Sequence, residues 1–309
     1  MRNILLADVG ATNTRIAMTG PGGRPTGMKK WRGDDVPSLE AAIARYIEET
    51  GARPEGGVLA IAAPVEGDEI AMTNRPWRFR ASELAKRFGW RAVRAINDFE
   101  AVAFSLPHLR PEDIRPLGPP MPQATGPRVV FGAGTGLGVA ALLPHAGGDV
   151  AVPTEGGHAS FGPAAAEEEP IFARVRGELG YVSAEAVLSG PGLERLHRAL
   201  HGPDAALPAA AITHGAHAGD AAARETASLF VRLFARFAGD LALLYRATGG
   251  VYAGGGVSRR LGDFLSAPAF RAAFENHPPF VALLRTIPTT LITLDEPGLL
   301  GCAAVAETL

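Results

Sequence analysis

Apolar positions fall into short runs and helical stripes that alternate along the chain. Ile4-Leu5-Leu6-Ala7 is an apolar run, and after a polar turn Thr14 to Met18 resumes with strand alternation, which predicts a β-hairpin. From Pro37 to Glu49, Leu39, Ala42, Ile43, Tyr46 and Ile47 recur on one helical face. Val58 to Ala63 reads as a buried strand, and Ala81 to Arg87 as a short helix. Ala92-Val93 and Ala95-Ile96 read as a short buried strand, and Phe99 to Phe104 as the helix that follows. Arg128 to Phe131 and Val139 to Leu143 are strands flanking a glycine-rich turn, which repeats the opening hairpin. The longest helical pattern covers 219–248, with Leu229, Phe230, Leu233, Phe234, Phe237, Leu241 and Leu244 as its core stripe. Val251 to Ala253 and Leu291 to Leu294 are late strands, and Pro297 to Thr308 is a terminal helix with proline at its start.

Strands and helices interleave, while the first two strands join by a tight turn. That combination predicts an α/β fold with mixed sheets. Between residues 106 and 127, Pro107, Pro111, Pro116, Pro119, Pro120, Pro122 and Pro127 change the texture of the chain, as expected of a domain boundary. At 309 residues the chain is long enough for about two domains.

Composition narrows the function classes. The chain is 47% hydrophobic and 20% charged, as in globular proteins. A formal net charge of -2 supplies no basic field, so no nucleic-acid partner is expected. The single cysteine, Cys302, excludes an internal disulfide framework and any multi-cysteine metal site, and suits a reducing cytoplasm. Ile4 to Ala7 is too short for a signal-peptide core. The longest apolar stretch, Val129 to Pro144, is broken by four glycines and falls short of a membrane span, so no membrane association is expected.

Candidate chemistry collects at strand ends. Asp98 lies where a strand hands over to a helix, the position at which open α/β sheets bind ligands. There it can serve as a base or as a helix N-cap. Asp8, Gly10, Ala11, Thr12 and Asn13 form a turn whose N–H groups and hydroxyls suit a phosphate, or simply a hairpin. Gly132-Ala133-Gly134-Thr135-Gly136-Leu137-Gly138 repeats that design, with Gly134, Thr135 and Gly136 at its centre. Neither turn matches GxGxxG or a P-loop, and the chain contains no Gly-Lys pair. Glu155 and His158 flank a glycine pair that permits close backbone approach to a ligand, or a plain turn. Hydrogen bonding to hydroxyls suits them better than metal ligation, because no further ligand cluster is visible. Ser183 reads as an N-cap that puts Glu185 in a first helical turn. Gly254, Gly255 and Gly256 stand between a strand and a helix start, where a nucleoside or phosphate can come close. Thr73 and Asn74 suit a turn that could also line a polar ligand site. Glu167-Glu168-Glu169 reads as a solvated charge run at a helix start, and Cys302 as a buried small side chain.

These segments carry a family resemblance. Asp8 to Asn13, Ile96-Asn97-Asp98-Phe99, Gly132 to Gly138, Glu155-Gly156-Gly157-His158, Ser183 to Leu193, Ala253 to Gly256 and Pro297 to Gly301 occur together, in this order, over nearly the whole length. In this the chain resembles the bacterial glucokinases of the hexokinase group, within the actin-like ATPase superfamily. The resemblance implies a two-domain actin-like ATPase (ribonuclease H-like) fold with an interdomain cleft that closes on the sugar. It implies a small domain of residues 1–107 plus 296–309 and a large domain of 108–295. It implies ATP-dependent phosphorylation of glucose at the 6-hydroxyl, with Asp98 as the base and Asn97, Glu155, His158 and Glu185 on the other hydroxyls. The two glycine turns would hold ATP phosphates, and Gly254 to Gly256 would lie by the adenosine. Mg²⁺ would accompany ATP without direct protein ligands, Asp8 facing it through water. A homodimer is expected on the same ground. Ala11 departs from the family, which usually has a second glycine there. A kinase for another hexose, a broad hexokinase, a non-catalytic sugar sensor and a chaperone-like ATPase are the competing readings. The sensor would need an added DNA-binding head, for which the start of the first strand at Ile4 leaves no expected room.

Overall fold

The computed structural model describes residues 3–72, 75–119, 121, 125–266 and 268–309, the side chain of residue 34 excepted. Thr73, Asn74, Pro120 and Pro122 lie outside the described residues. The chain divides into two compact units, Met1–Arg110 with Leu294–Leu309, and Pro111–Thr293.

The first unit runs β1 (Ile4–Val9), β2 (Asn13–Thr19), β3 (Pro25–Arg32), α1 (Leu39–Thr50), β4 (Gly56–Ile61), β5 (Glu69–Ala71), β6 (Arg78–Arg80), α2 (Ala81–Phe88), β7 (Val93–Asn97) and α3 (Asp98–Ser105). Its main sheet has the order β3-β2-β1-β4-β7, antiparallel through the first three strands and parallel beyond. β1 is buried on both faces, so it reads as a continuous apolar run. Leu5, Ala7 and Val9 face a core with Leu39, Ile43, Tyr46, Leu84 and Trp90, while Ile4 and Leu6 face the opposite one. β3 carries no strand pattern in the sequence. It is an edge strand with only Trp31 buried, so its side chains are polar. β7 is likewise less apolar than its sequence suggests: Ile96 alone is buried.

The second unit runs β8 (Ile114–Pro116), β9 (Arg128–Ala133), β10 (Leu137–Leu143), β11 (Val150–Thr154), α4 (Glu169–Leu179), α5 (Ala184–Val187), α6 (Gly190–His201), α7 (Ala209–Ala218), α8 (Ala221–Leu244), β12 (Gly250–Gly254), α9 (Gly256–Arg260), α10 (Gly262–Leu265), α11 (Pro268–Glu275), α12 (Val281–Arg285) and β13 (Thr289–Ile292). Its sheet order is β11-β10-β9-β12-β13-β8. Again three antiparallel strands precede two parallel ones, with β8 added antiparallel at the edge. The repeated hairpin in the sequence is therefore a repeated half-sheet.

α8 forms the centre of the second core. Phe234 meets Phe131 of β9 at a ring-centroid distance of 4.4 Å, and Phe237 meets it at 6.0 Å. Leu244 does not join the stripe. It is 76% exposed, because α8 ends there and the chain turns away through Arg246 with φ +45°. Glu168 also departs from its expected role. It is 2% exposed and accepts from Arg232 Nε at 3.2 Å, Arg236 Nη1 at 2.8 Å and the Ala164 N–H at 2.9 Å. The i, i+4 spacing puts both guanidiniums on one face of α8.

α13 (Pro297–Ala306) returns to the first unit and packs on α3. The crossing depends on Gly301: a Cβ there would lie 1.6 Å from the Ala101 carbonyl oxygen. Cys302 is buried, its thiol directed at the Ala7 carbonyl at 3.7 Å, and burial pushes its pKa up. It is a packing residue, inert as a nucleophile.

Candidate active site

In the first unit the turn between β1 and β2 is closed by the Gly10 N–H donating to the Asn13 carbonyl at 3.0 Å. Arg75 holds it from outside, donating from Nε to the Ala11 carbonyl at 2.8 Å and from Nη1 to Thr14 Oγ1 at 3.1 Å. The Gly33 N–H adds a bond to the Thr12 carbonyl at 2.8 Å. Arg75 itself stacks on the Trp77 ring at 4.7 Å. Among the described residues Arg246 is the one non-glycine with positive φ. Alanine at position 11 thus needs no conformation that glycine alone allows, and the turn keeps its shape without a second glycine.

Asp8 is the penultimate residue of β1 and lies beside Arg15, whose Nη1 is 3.4 Å from Asp8 Oδ2 and whose Nε is 2.6 Å from Glu296 Oε1. Burial raises the Asp8 pKa and the Arg15 charge opposes that rise. The same two effects act on Glu296, with the Asp8 charge adding to the rise. A cation brought next to this pair would hold both carboxyls ionised.

The strand-to-helix junction at residues 97–98 divides the two roles left open by the sequence. Asn97, not Asp98, caps α3: its Oδ1 accepts the Phe99 N–H at 2.9 Å and the Glu100 N–H at 3.2 Å. Glu100 returns the favour by accepting the Asn97 N–H at 3.3 Å, which completes a capping box. Asn97 Nδ2 donates to the Ala63 carbonyl at 3.2 Å. Asp98 is therefore released from capping and becomes the first residue of α3, with Oδ1 accepting the Phe99 N–H at 2.9 Å.

In the second unit the remaining candidates gather around one residue, Leu137. The Glu185 carboxylate accepts the Leu137 N–H through Oε2 at 2.8 Å. Gly157 lies so close to the same residue that a Cβ there would sit 2.0 Å from the Leu137 carbonyl oxygen. Gly157 is the middle of the 3-10 turn that separates Glu155 from His158. Those two side chains are 67% and 61% exposed, with His158 Nε2 4.0 Å from Glu155 Oε2. The segment after His158 pairs with the start of α5, through the Ser160–Ser183 bridge and the Ala184 N–H to the Ala159 carbonyl at 3.0 Å. Ser183 caps α5 by accepting the Ala186 N–H at 3.2 Å, which places Glu185 in its first turn. Glu155, His158 and Glu185 are thus brought to the same strand end as Gly134, Thr135 and Gly136.

The glycine triplet reaches that end as well. β12 pairs parallel with β9 so that Gly254 aligns with Gly132. Gly255 has φ +87°, and a Cβ on it would lie 2.3 Å from the Ala133 carbonyl oxygen. Only glycine lets the chain pass there. Among residues with a part in the site, sequence reading misses Arg75. Its single cue is a cationic residue two before Trp77 in an otherwise polar loop.

A family model described as glucokinase matches residues 5–309. A glucokinase of Citrobacter koseri is 44% identical over 306 residues, covering 97% of this chain and 95% of the relative. The solved glucokinase of an Antarctic psychrotroph is 29% identical with a TM-score of 0.89, and each chain is covered completely. The glucokinase of Balamuthia mandrillaris, solved in complex with glucose, is 24% identical with a TM-score of 0.84, covering 99% of this chain and 94% of that one, and shares the fold.

Proposed function

The chain belongs to the glucokinase family, and from that premise we propose that it transfers the γ-phosphoryl group of ATP to the 6-hydroxyl of D-glucose. The products are glucose 6-phosphate and ADP. The fold is of the two-domain actin-like ATPase type, and residues 1–107 plus 296–309 and 108–295 are taken as its domains. The observation that carries the reading is the gathering of Glu155, His158 and Glu185 around Leu137, beside the Gly134–Gly136 turn. An ATPase without a small polyhydroxylated substrate has no use for two carboxylates and an imidazole at that strand end.

Asp98 is the general base. Phosphoryl transfer asks the protein for positioning and charge neutralisation rather than covalent chemistry. Asp98 orients the 6-hydroxyl and takes its proton as the new P–O bond forms. Asn97, Glu155, His158 and Glu185 address the other hydroxyls, so a sugar that lacks one of them would leave a polar group of the complex without its partner and bind less well. The turns at Asp8 to Asn13 and Gly134 to Gly136 receive the phosphates, and Gly254 to Gly256 the nucleoside. Mg²⁺ bound with ATP supplies charge neutralisation at the transferring phosphoryl group. Asp8 would face that ion through water, since Mg²⁺ dehydrates reluctantly and keeps several of its waters. Among the described residues no helix is long and apolar enough to cross a membrane, and we take the enzyme to act in the cytoplasm.

A coupled assay of ADP release with ATP, Mg²⁺ and a panel of hexoses tests the reading. Glucose should be the fastest substrate. Equal rates with mannose or fructose would make it a broad hexokinase, and no sugar-dependent ADP release would overturn the kinase assignment. Asp98→Asn should lower kcat by about 10²–10⁴-fold, the usual contribution of a general base, while glucose binding persists. Turnover at the wild-type rate in that variant would remove Asp98 from the mechanism.

A further inference from the structure

We propose that Glu185 is the residue that couples the two substrates: one carboxylate oxygen holds the donor-phosphate turn in shape while the other takes a sugar hydroxyl. The proposal rests on the kinase reading above and adds a donor-side task to a residue otherwise assigned to the sugar.

The turn between β9 and β10 is short of internal support. Its one closing bond is the Gly134 N–H donating to the Gly136 carbonyl at 2.9 Å. Beyond the flanking β9–β10 ladder, its remaining hydrogen bonds come from the segment 183–190. Glu185 Oε2 accepts the Leu137 N–H at 2.8 Å at one end, and the Gly190 N–H donates to the Gly134 carbonyl at 2.8 Å at the other. The carboxylate lies against the turn itself, since a Cβ on Gly136 would be 2.5 Å from Oε2 but 3.9 Å from Oε1. The glycine therefore makes room for the carboxylate. The segment that carries Glu185 is fixed in turn. Ser183 caps α5, and Ser189 Oγ donates to the Glu185 carbonyl at 2.8 Å while accepting the Gly192 N–H at 3.0 Å.

This arrangement sorts the N–H groups of the turn. Leu137 N–H is committed to Glu185 and Gly134 N–H to Gly136. The N–H groups of Thr135 and Gly136 meet no acceptor among the described residues, and they are the pair left to address a phosphate. Without the carboxylate the Leu137 N–H would be unsatisfied and the turn would lose the anchor at its C-terminal end. An ionised carboxylate is acceptor-only and has room for several donors, so Oε1 can bind a hydroxyl while Oε2 stays on Leu137. Hydroxyl binding then steadies the carboxylate that shapes the turn. By linkage, sugar and nucleotide strengthen each other's binding.

The test is made on the sugar-free enzyme, where a pure sugar ligand has no influence. The probe is the Mg²⁺ complex of a non-hydrolysable ATP analogue, titrated calorimetrically into wild type, Glu185→Ala, Glu185→Gln and Glu185→Asp. Glu185→Ala should weaken analogue binding by about tenfold or more, the loss expected for one hydrogen bond to a charged group. Glu185→Gln keeps a carbonyl for the Leu137 N–H and should stay within about threefold of wild type, while its KM for glucose rises. Glu185→Asp keeps the charge but is one methylene too short for Leu137, and should bind the analogue as poorly as the alanine variant. That third variant decides the matter if the alanine variant fails to fold. Wild-type analogue affinity in the Asp and Ala variants, with only the glucose KM altered, would overturn the proposal and leave Glu185 a sugar ligand. Failure of the wild type itself to bind the analogue would instead strike the kinase reading.

Discussion

The two glycine turns share a sequence design and a place in their half-sheets, yet they are held by groups of opposite charge. In the first unit a guanidinium grips the turn by its oxygens, Ala11 carbonyl and Thr14 Oγ1, and the Gly33 N–H takes the Thr12 carbonyl. In the second a carboxylate grips the turn by a nitrogen, the Leu137 N–H. Pulling carbonyls outward leaves the N–H groups of a turn facing the other way, towards an anion. Gripping an N–H removes one donor and leaves the rest in fixed directions. Two solutions to one problem show that the turn residues alone do not fix the shape of the turn. Each turn needs an anchor from a distant part of the chain, Arg75 in one unit and Glu185 in the other.

The comparison is broken most severely where the second turn has a support that the first lacks. Gly255 passes the Ala133 carbonyl at a distance no side chain tolerates, in a left-handed conformation. Gly255→Ala should cost about 3 kcal/mol or more, through strain and a backbone clash together. Denaturant unfolding would show it as a lower midpoint with an unchanged slope.

Arg75 carries the next largest effect. Arg75→Ala removes two hydrogen bonds from a charged donor and a stacking contact, so stability should fall by about 2 kcal/mol. The KM for ATP should rise with it, while the KM for glucose moves less. Arg75→Lys should restore only part of this, because an ammonium cannot reproduce the fork that spans Ala11 and Thr14. Equal effects on both substrates would point to general destabilisation rather than to the turn.

Gly134 is expected to have the smallest effect on the fold and so gives the sharpest test of ligand approach. A Cβ at that position meets nothing within 4 Å, and its φ is not in the left-handed region. Gly134→Ala should leave stability within about 0.5 kcal/mol. Loss of affinity for the ATP analogue in that folded variant would mean the glycine is kept for the phosphate. Retained affinity would move the phosphates away from Gly134.

Much of this was readable along the chain because it depends on neighbours in sequence. Apolar periodicity marked β1, α1 and α8, and Ser183 was visible as a cap because N-capping spans only a few residues. The candidates at Asp98, Glu155 and His158 stood out at strand ends and beside glycines. Asn97 was harder, since both it and Asp98 suit an N-cap and only the formed helix shows whose oxygen accepts the first free N–H groups. The charge run at Glu167 to Glu169 looked solvated because its two arginine partners lie 64 and 68 residues away. β3 was hidden for the reverse reason, as an edge strand that buries only Trp31 has no apolar alternation to show.

By itself, then, the sequence determined the local chemistry: two turns able to expose N–H groups, a carboxylate at a strand-to-helix junction, and polar residues flanked by glycines. These follow from backbone preferences and side-chain type within a few residues. The tertiary structure decided what each of those pieces is fastened to. It brought Arg75 to Ala11 across 64 residues and Glu185 to Leu137 across 48. It also set Gly157 and Gly255 against backbone oxygens. Such contacts are made by packing whole elements together, and hydrogen bonds between residues so far apart leave no period in the chain from which they could be read.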